Sequence, residues 1–390
     1  MDKAYQETLR NAGDGHGMVE AGNVAGGLDL LAQKGDWDQV FAVGAKNAPD
    51  ELPRFAAMYA NKQVDEGNFD EAVHTLSKFG APPTNEHYGL YNTIINQWAT
   101  RTEAEMGVNP DSDRDSHDLI TEELRGVVYH LVAALKSRRG PRGGYEGKGG
   151  GGDNMVEALE RSLLVLHYSA LHRKCRKEKL PGLAAKLSTG LLRFCGAIPA
   201  DKAFFHAGMA CKENGDLSQA FVFLNHYLDL TEAIDDGDAS MMDHSDFVDT
   251  DLPSPVDYDL PKQQHLSEER REEVRDWVLA LSMDQKVEQA LSTRECSSCN
   301  SNIYAGSLLC VHCKAVSEAC IVSAAPVIKT VSCKKCGNKA QGGFKFCVPS
   351  VQSSCARCML VVCSLCARCC VRSDSICMQQ GVKPHARYSR

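Results

Sequence analysis

The first half of the chain has the spacing of apolar residues that is typical of amphipathic helices. The clearest face follows a glycine-rich stretch, where Val156, Leu159, Leu163 and Leu166 fall on one side of a helix. A faint repeat accompanies this pattern: a glycine, an aromatic or apolar residue two positions later, and a small or apolar residue three positions beyond that. Its copies are Gly35, Trp37 and Val40; Gly67, Phe69 and Ala72; and Gly215, Leu217 and Ala220.

In a tetratricopeptide-like hairpin the glycine makes the turn between two helices, and the other two residues pack where the helices cross. Because the copies are degenerate, the pattern predicts irregular hairpins rather than a regular array. The predicted fold class is therefore mainly α: an α-solenoid of degenerate tetratricopeptide-like helical hairpins, with a Cys-rich module after it.

Shifts in composition divide the chain into segments. Residues 138–154 are rich in glycine and predict a flexible linker. The predicted organisation is 1–137, N-terminal part of the solenoid; 138–154, linker; 155–234, helical hairpins; 235–266, acidic extended segment; 267–292, helices; 293–360, Cys-rich module; and 361–390, a Cys-rich basic tail that is predicted to be disordered.

The acidic segment cannot bury enough apolar surface to fold alone, because residues 229–260 hold eleven acidic residues and no lysine or arginine. We predict an extended strap over residues 235–261 that Phe247 anchors on the helices. A strongly helical stretch follows, in which Val274, Trp277 and Val278 share an apolar face. Ser282 with Gln285 predicts a capping box that starts a second short helix.

The net charge of −8 argues against a surface built for nucleic acid. The basic tail, with eleven cations after residue 328 and one acid, lacks interleaved aromatic residues, so non-specific attraction to a phosphate backbone is the most it predicts. The run of cations over residues 173–179 is interpreted as the end of a helix, whose negative pole favours them, rather than as an anion patch.

The opening residues lack a signal-peptide core and no apolar run reaches membrane-spanning length, which predicts a cytosolic protein.

Fifteen of the eighteen cysteines lie between Cys296 and Cys377. In a reducing compartment they favour a metal module over disulfides. Four Cys-x-x-Cys pairs stand out, and two such pairs can complete a tetrahedral structural zinc site. The predicted zinc ligands are Cys296, Cys299, Cys310, Cys313, Cys333, Cys336, Cys355 and Cys358.

The pairing of these cysteines stays open on spacing alone. Neighbouring pairs can share a zinc ion, as in a ribbon, or alternate pairs can share one, as in an interleaved RING-like module. Either site is closed by four thiolates and lacks the free position that catalysis on zinc needs, so no enzyme activity is predicted. His312, between the cysteines of the second pair, is predicted to be exposed rather than a ligand.

Three stretches resemble the C-terminal region of a known family: "PADKAFFHAGMACKENGDLSQAFVFLNHYLDLTEAIDDGD", "MDHSDFVDTDLP" and "EEVRDWVLALSMDQKVEQ". They are similar to the intraflagellar transport protein 172 family. The resemblance implies a ciliary or flagellar location, including the ciliary base on the cytoplasmic side, and other subunits of the intraflagellar transport B complex as partners. It also implies N-terminal β-propellers elsewhere in the family's chains and a terminal RING-like or U-box-like module, which favours the alternate pairing. Ala324 and Ala325 replace a glycine and a tyrosine expected in that module.

Three functions compete. The first is a non-catalytic scaffold for cilium assembly that acts through protein–protein contacts, with a structural zinc module. The alternative is a ubiquitin ligase, with the ubiquitin machinery as partner, in which Ile303 and Pro326 would contribute to a groove for a conjugating enzyme. The third, nucleic-acid binding, rests on the basic tail alone, and no specific nucleic acid is predicted. The sequence favours the scaffold.

Overall fold

The computed structural model describes residues 3–101, 114–138, 151–240, 242–255, 258–284, 287–328, 330–332 and 339–341. Within these ranges the chain is mainly helical, with a few short strands near the end. The helices are α1 Lys3–Ala12, α2 Gly15–Glu20, α3 Val24–Lys34, α4 Trp37–Asn47, α5 Leu52–Asp65, α6 Phe69–Phe79, α7 Tyr88–Thr100, α8 Arg114–Arg138, α9 Gly151–Lys177, α10 Pro181–Leu191, α11 Ala200–Glu213, α12 Leu217–Asp236 and α13 Glu268–Ser282. Single 3-10 turns lie at Pro49–Glu51, Asn85–His87, Leu192–Phe194 and Ser245–Phe247.

The three repeat glycines lie at the helix turns, as predicted. Gly35, Gly67 and Gly215 separate α3 from α4, α5 from α6 and α11 from α12, with φ angles of 80°, 81° and 81°. Glycine adopts this left-handed backbone without the steric cost that a Cβ would add. At two of the turns the next residue, Asp36 or Asp216, caps the following helix through its side chain.

The packing prediction for the repeat is confirmed at its small position and wrong at one aromatic or apolar position. Val40, Ala72 and Ala220 are all 0% exposed where paired helices meet. Trp37 packs against Tyr59, with ring centroids 5.1 Å apart. Leu217, by contrast, is 38% exposed, although it begins α12 in the same way that Trp37 begins α4.

The chain divides into two compact units. The first comprises residues 1–98 and 119–163, and its core includes Leu28 and Phe55, both fully buried, with Phe41 and Phe79 stacked 4.1 Å apart. The Trp98 indole N–H donates to the Thr121 hydroxyl at 3.0 Å. Helical hairpins thus enclose an apolar core in this unit.

The second unit comprises residues 99–118 and 164–390, and its largest core lies between α11 and α12. Gly208 in α11 allows the close approach of these helices, since a Cβ there would lie 2.5 Å from Cγ of Leu224. Phe204 and Phe223 are fully buried in this core, as is Tyr227. No helix in the part of the chain that the structure describes is long and apolar enough to cross a membrane.

The acidic segment crosses this core as a strap, residues 237–266, whose only helical element among its described residues is the single turn Ser245–Phe247. Phe247 is 2% exposed and contacts Phe204, Phe223 and His226, with ring centroids 5.6, 6.2 and 4.8 Å away. The predicted anchor is therefore confirmed. The strap starts two residues later than expected, because α12 continues to Asp236.

Two local predictions are wrong. The glycine-rich linker was expected to reach residue 154, but α9 begins at Gly151. Glycine disfavours a helix, but the buried residues Met155 and Val156 stabilise the first turn of α9. The expected second helix after Ser282 is absent from the described residues 283–284 and 287–292. The Ser282 hydroxyl donates back to the Leu279 carbonyl at 2.8 Å, inside α13, and so does not cap a new helix.

Candidate metal centre

The first Cys-x-x-Cys pair lies in a tight turn between two antiparallel strands, β1 Thr293–Glu295 and β2 Asn302–Tyr304. The Cys296 N–H donates to the Ser301 carbonyl and the Asn300 N–H donates to the Cys296 carbonyl, both at 2.9 Å. Asn300 has a φ of 58°, which asparagine tolerates better than most residues. The turn directs both thiols to the same side of the backbone.

The second pair repeats this geometry. The Cys310 N–H donates to the Ala315 carbonyl and the Lys314 N–H to the Cys310 carbonyl, again at 2.9 Å, and Lys314 has a φ of 59°. Two separate stretches of chain therefore present their cysteines through the same backbone turn.

The four sulfurs of these turns converge. The Sγ atoms of Cys296 and Cys313 lie 3.7 Å apart, as do those of Cys299 and Cys310, and all four lie within 4.8 Å of one another. A tetrahedron with Zn–S bonds of about 2.3 Å places its sulfurs about 3.8 Å apart. The spacing of this four-sulfur group fits a tetrahedral zinc ion.

The hydrogen bonds around the sulfurs favour thiolates at the first turn. The backbone N–H groups of Ser298 and Cys299 lower the pKa of the Cys296 thiol. The hydroxyl and backbone N–H of Ser301 lower the pKa of Cys299 to about 6. Four thiolates this close repel one another unless a cation joins them, so the arrangement is suited to a soft divalent metal.

The four-sulfur group also forms much of its own small core. Cys296, Ile303 and Cys310 are buried together, with Cys299 and Ala315 packed against them. Such a core is too small to stabilise the module by itself. Binding of a metal here would contribute its free energy directly to folding.

A third turn of the same kind, which the sequence reasoning missed, follows at residues 320–325. The Cys320 N–H donates to the Ala325 carbonyl and the Ala324 N–H to the Cys320 carbonyl, both at 2.8 Å, and Ala324 has a φ of 56°. Ser323 occupies the place of the second cysteine. The signal was present, since "CIVSAA" aligns with "CSSCNS" and "CVHCKA". Ala324 thus adopts a left-handed backbone that is uncommon for alanine.

This third turn packs against helices of its own unit. The His167 imidazole donates from Nε2 to the Ile321 carbonyl at 2.8 Å. The Arg193 guanidinium donates to the carbonyls of Ala324 and Gly306, at 2.9 and 3.1 Å. Cys320 is completely buried. The turn serves to dock the Cys-rich module on the helices.

Adding a methyl group at Gly190 is expected to disturb this docking, because it would overlap the Ala324 side chain. We expect Gly190→Ala to destabilise the protein by about 1–3 kcal/mol, as overpacked sites do. Gly126→Ala is the matched control: it also lies in a helix, but nothing lies within 4 Å of the new methyl, so helix propensity should raise stability by up to about 1 kcal/mol. Thermal unfolding followed by circular dichroism measures both, and equal midpoints would contradict the docking role.

The structure brings together four of the eight predicted ligands. Cys333, Cys336, Cys355 and Cys358 lie outside the described residues. The alternate pairing that the resemblance favoured is wrong for the first two pairs, since these neighbouring pairs share one centre. The reason is geometric: both turns close on the same small core. His312 is exposed and outside the centre, as predicted.

Comparison with known proteins finds relatives in several organisms. The chain is 34% identical over 331 residues to the intraflagellar transport protein 172 homolog of Mus musculus and 33% identical over 331 residues to that of Homo sapiens, in both cases covering 84% of this chain and 17% of the relative. The intraflagellar transport protein 172 of Chlamydomonas reinhardtii is 30% identical over 305 residues, covering 77% of this chain and 16% of the relative. The chain therefore spans about a sixth of the length of these relatives. No protein-family model matches it.

Proposed function

We propose that this chain, a homologue of one segment of the intraflagellar transport protein 172 family, is a non-catalytic scaffold in intraflagellar transport. The observation that carries this proposal is the identity of about a third over 84% of the chain to proteins with that name. Its partners would be other subunits of the intraflagellar transport B complex. Its location would be the cilium or flagellum and the ciliary base, on the cytoplasmic side.

The architecture supports a binding role. Helical hairpins of the solenoid type offer extended surface for protein contacts, and function as scaffolds without a reaction centre. A metal ion bound by all four sulfurs would have a complete tetrahedral coordination and no free position for a substrate. The group would hold zinc as a structural ion, and its thiolates Cys296, Cys299, Cys310 and Cys313 would bind it.

Both residues that the ubiquitin ligase alternative relied on are buried. Ile303 is 2% exposed and belongs to the core around the four sulfurs, so it is not available to a conjugating enzyme. Pro326 lines a cavity but is itself buried. Two buried residues do not make the apolar groove that a conjugating enzyme needs, and the scaffold stays the better interpretation.

Reconstitution tests the scaffold role. The full chain is mixed with purified subunits of the transport B complex and separated by size-exclusion chromatography, with zinc in the buffer. We expect co-elution with at least one subunit. Elution of the chain alone, together with ubiquitin transfer when a conjugating enzyme is supplied, would contradict the scaffold and favour the ligase.

A further inference from the structure

A cavity of about 530 Å³ lies where the Cys-rich module meets the turn between α9 and α10, within the second unit. Its walls come from three elements: the start of α10, the hairpin of β1 and β2, and the third turn with the residues after it. We call it the basic cavity. It is lined by Lys179, Leu180, Pro181, Gly182, Leu183, Lys186, Arg294, Ala305, Ser323, Ala325, Pro326 and Ile328.

The charged residues that line the basic cavity are all cations. Lys179, Lys186 and Arg294 line it, and its described lining includes no acidic residue. The two lysines are exposed. The Arg294 guanidinium is fixed by the carbonyls of Ala305 and Ser307, at 3.3 and 2.8 Å, which hold its position but do not neutralise it. Among the described residues, none of the three forms an ion pair.

The start of α10 adds to this positive potential. Pro181 is at its first turn, and Leu180 provides no side-chain hydrogen bond to cap the exposed N–H groups. The amino end of a helix carries a partial positive charge of about half an elementary charge. The cavity therefore combines three cations with a helix dipole of the same sign.

Its remaining walls are apolar. Leu183, Pro326 and Ile328 line the cavity, and Ile328 is 73% exposed. A small inorganic anion would leave these walls in water. Nucleic acid would need aromatic rings for stacking, and the described lining has none. Basic and apolar surface side by side fits a peptide in which carboxylates alternate with aliphatic side chains, and the volume suits a few residues.

The chain's own acidic strap does not reach the basic cavity through its anchor residues. Phe247 is buried among aromatic rings of the main core. The Asp251 carboxylate accepts hydrogen bonds from the N–H groups of Leu308 and Leu309, at 2.6 and 3.2 Å. Both anchors are in use, so this part of the strap is not the occupant of the basic cavity.

We propose that the basic cavity binds an extended acidic segment of a partner protein, with carboxylates on Lys179, Lys186 and Arg294 and aliphatic side chains on Leu183, Pro326 and Ile328. The proposal deepens the scaffold role and rests on it for the nature of the partner. It assigns one docking site to a defined place at the junction of helices and Cys-rich module.

Fluorescence anisotropy with the full chain tests it. The probe is a labelled peptide of about eight residues that alternates Glu and Leu, long enough to span a cavity of this class. The test variant is Lys179→Glu with Lys186→Glu, for which we expect at least about tenfold weaker binding, since two attractive contacts become repulsive. Lys46→Glu with Lys262→Glu is the matched control, with the same change of net charge at two exposed positions outside the cavity. Ile328→Ser tests the apolar wall and should weaken binding about threefold or more.

Three results overturn the proposal. One is no binding of the Glu–Leu peptide to the unaltered chain. Another is an equal loss in the control pair, which would mean attraction by overall charge. The last is equal binding of a Glu–Gly peptide, which would mean that the apolar walls take no part. Co-elution with transport subunits is measured separately, so a failure of the peptide site is distinguishable from a failure of the scaffold role.

Discussion

Replacing Cys296 and Cys299 by serine is expected to remove zinc from the protein and unfold the Cys-rich module while the helices persist. The change deletes two of the four sulfurs that converge within 4.8 Å. Without the ion the small core around Ile303 cannot hold the turns, because metal binding supplies most of the folding free energy in modules of this size. Metal analysis should show one zinc fewer per chain, and circular dichroism should show almost unchanged helical content.

Cys320→Ser is the control for this experiment. Cys320 occupies the same position in the same kind of turn, yet lies outside the four-sulfur group, so its replacement should leave the zinc in place. A zinc-free preparation of the unaltered chain with an unchanged melting profile would refute the structural role. In that case redox-active thiols would be the better account of the pairs.

Phe247→Ala is expected to release the strap from the helical core. The ring is 2% exposed and contacts four aromatic rings, and truncation of a buried phenylalanine costs about 3–5 kcal/mol. The other buried anchors of the strap, Leu252, Tyr258 and Leu266, lie further along the chain, so most of this loss should appear as local opening around residue 247 rather than as unfolding of α11 and α12. Hydrogen–deuterium exchange should become fast over residues 246–252.

Val248→Ala is the matched control, because Val248 is the next residue and is 69% exposed. It should leave the exchange of the strap unchanged. Fast exchange over residues 246–252 in the unaltered protein would show that Phe247 does not anchor the strap in solution.

The features that the sequence predicted well are those set by neighbouring residues. Gly35, Gly67 and Gly215 were recognisable because a helix turn requires a left-handed residue at a fixed offset from the next apolar position. The first two Cys-x-x-Cys pairs were recognisable because their spacing brings both thiols to one side. These signals depend on a few consecutive residues and survive without knowledge of the rest of the fold.

The features that were missed depend on distant parts of the chain. Ser282 has the sequence of a cap, but its hydroxyl is satisfied within α13, and no local pattern decides between the two. The choice between neighbouring and alternate cysteine pairs depends on which turns share a core. The role of the third turn depends on His167 and Arg193, which lie more than a hundred residues earlier in the chain.

The hydrogen bonds from Leu308 and Leu309 to Asp251 would couple closure of the strap to the binding of a metal by the four-sulfur group. These two residues immediately precede Cys310, so a metal that fixes Cys310 also orders the N–H groups that Asp251 accepts. If a bound metal raises the equilibrium constant for closure of the strap by some factor, closure of the strap raises the affinity for the metal by the same factor. A partner that pulled the strap away would thereby raise the dissociation constant of the ion, and zinc affinity would report on the state of a segment that contains no zinc ligand.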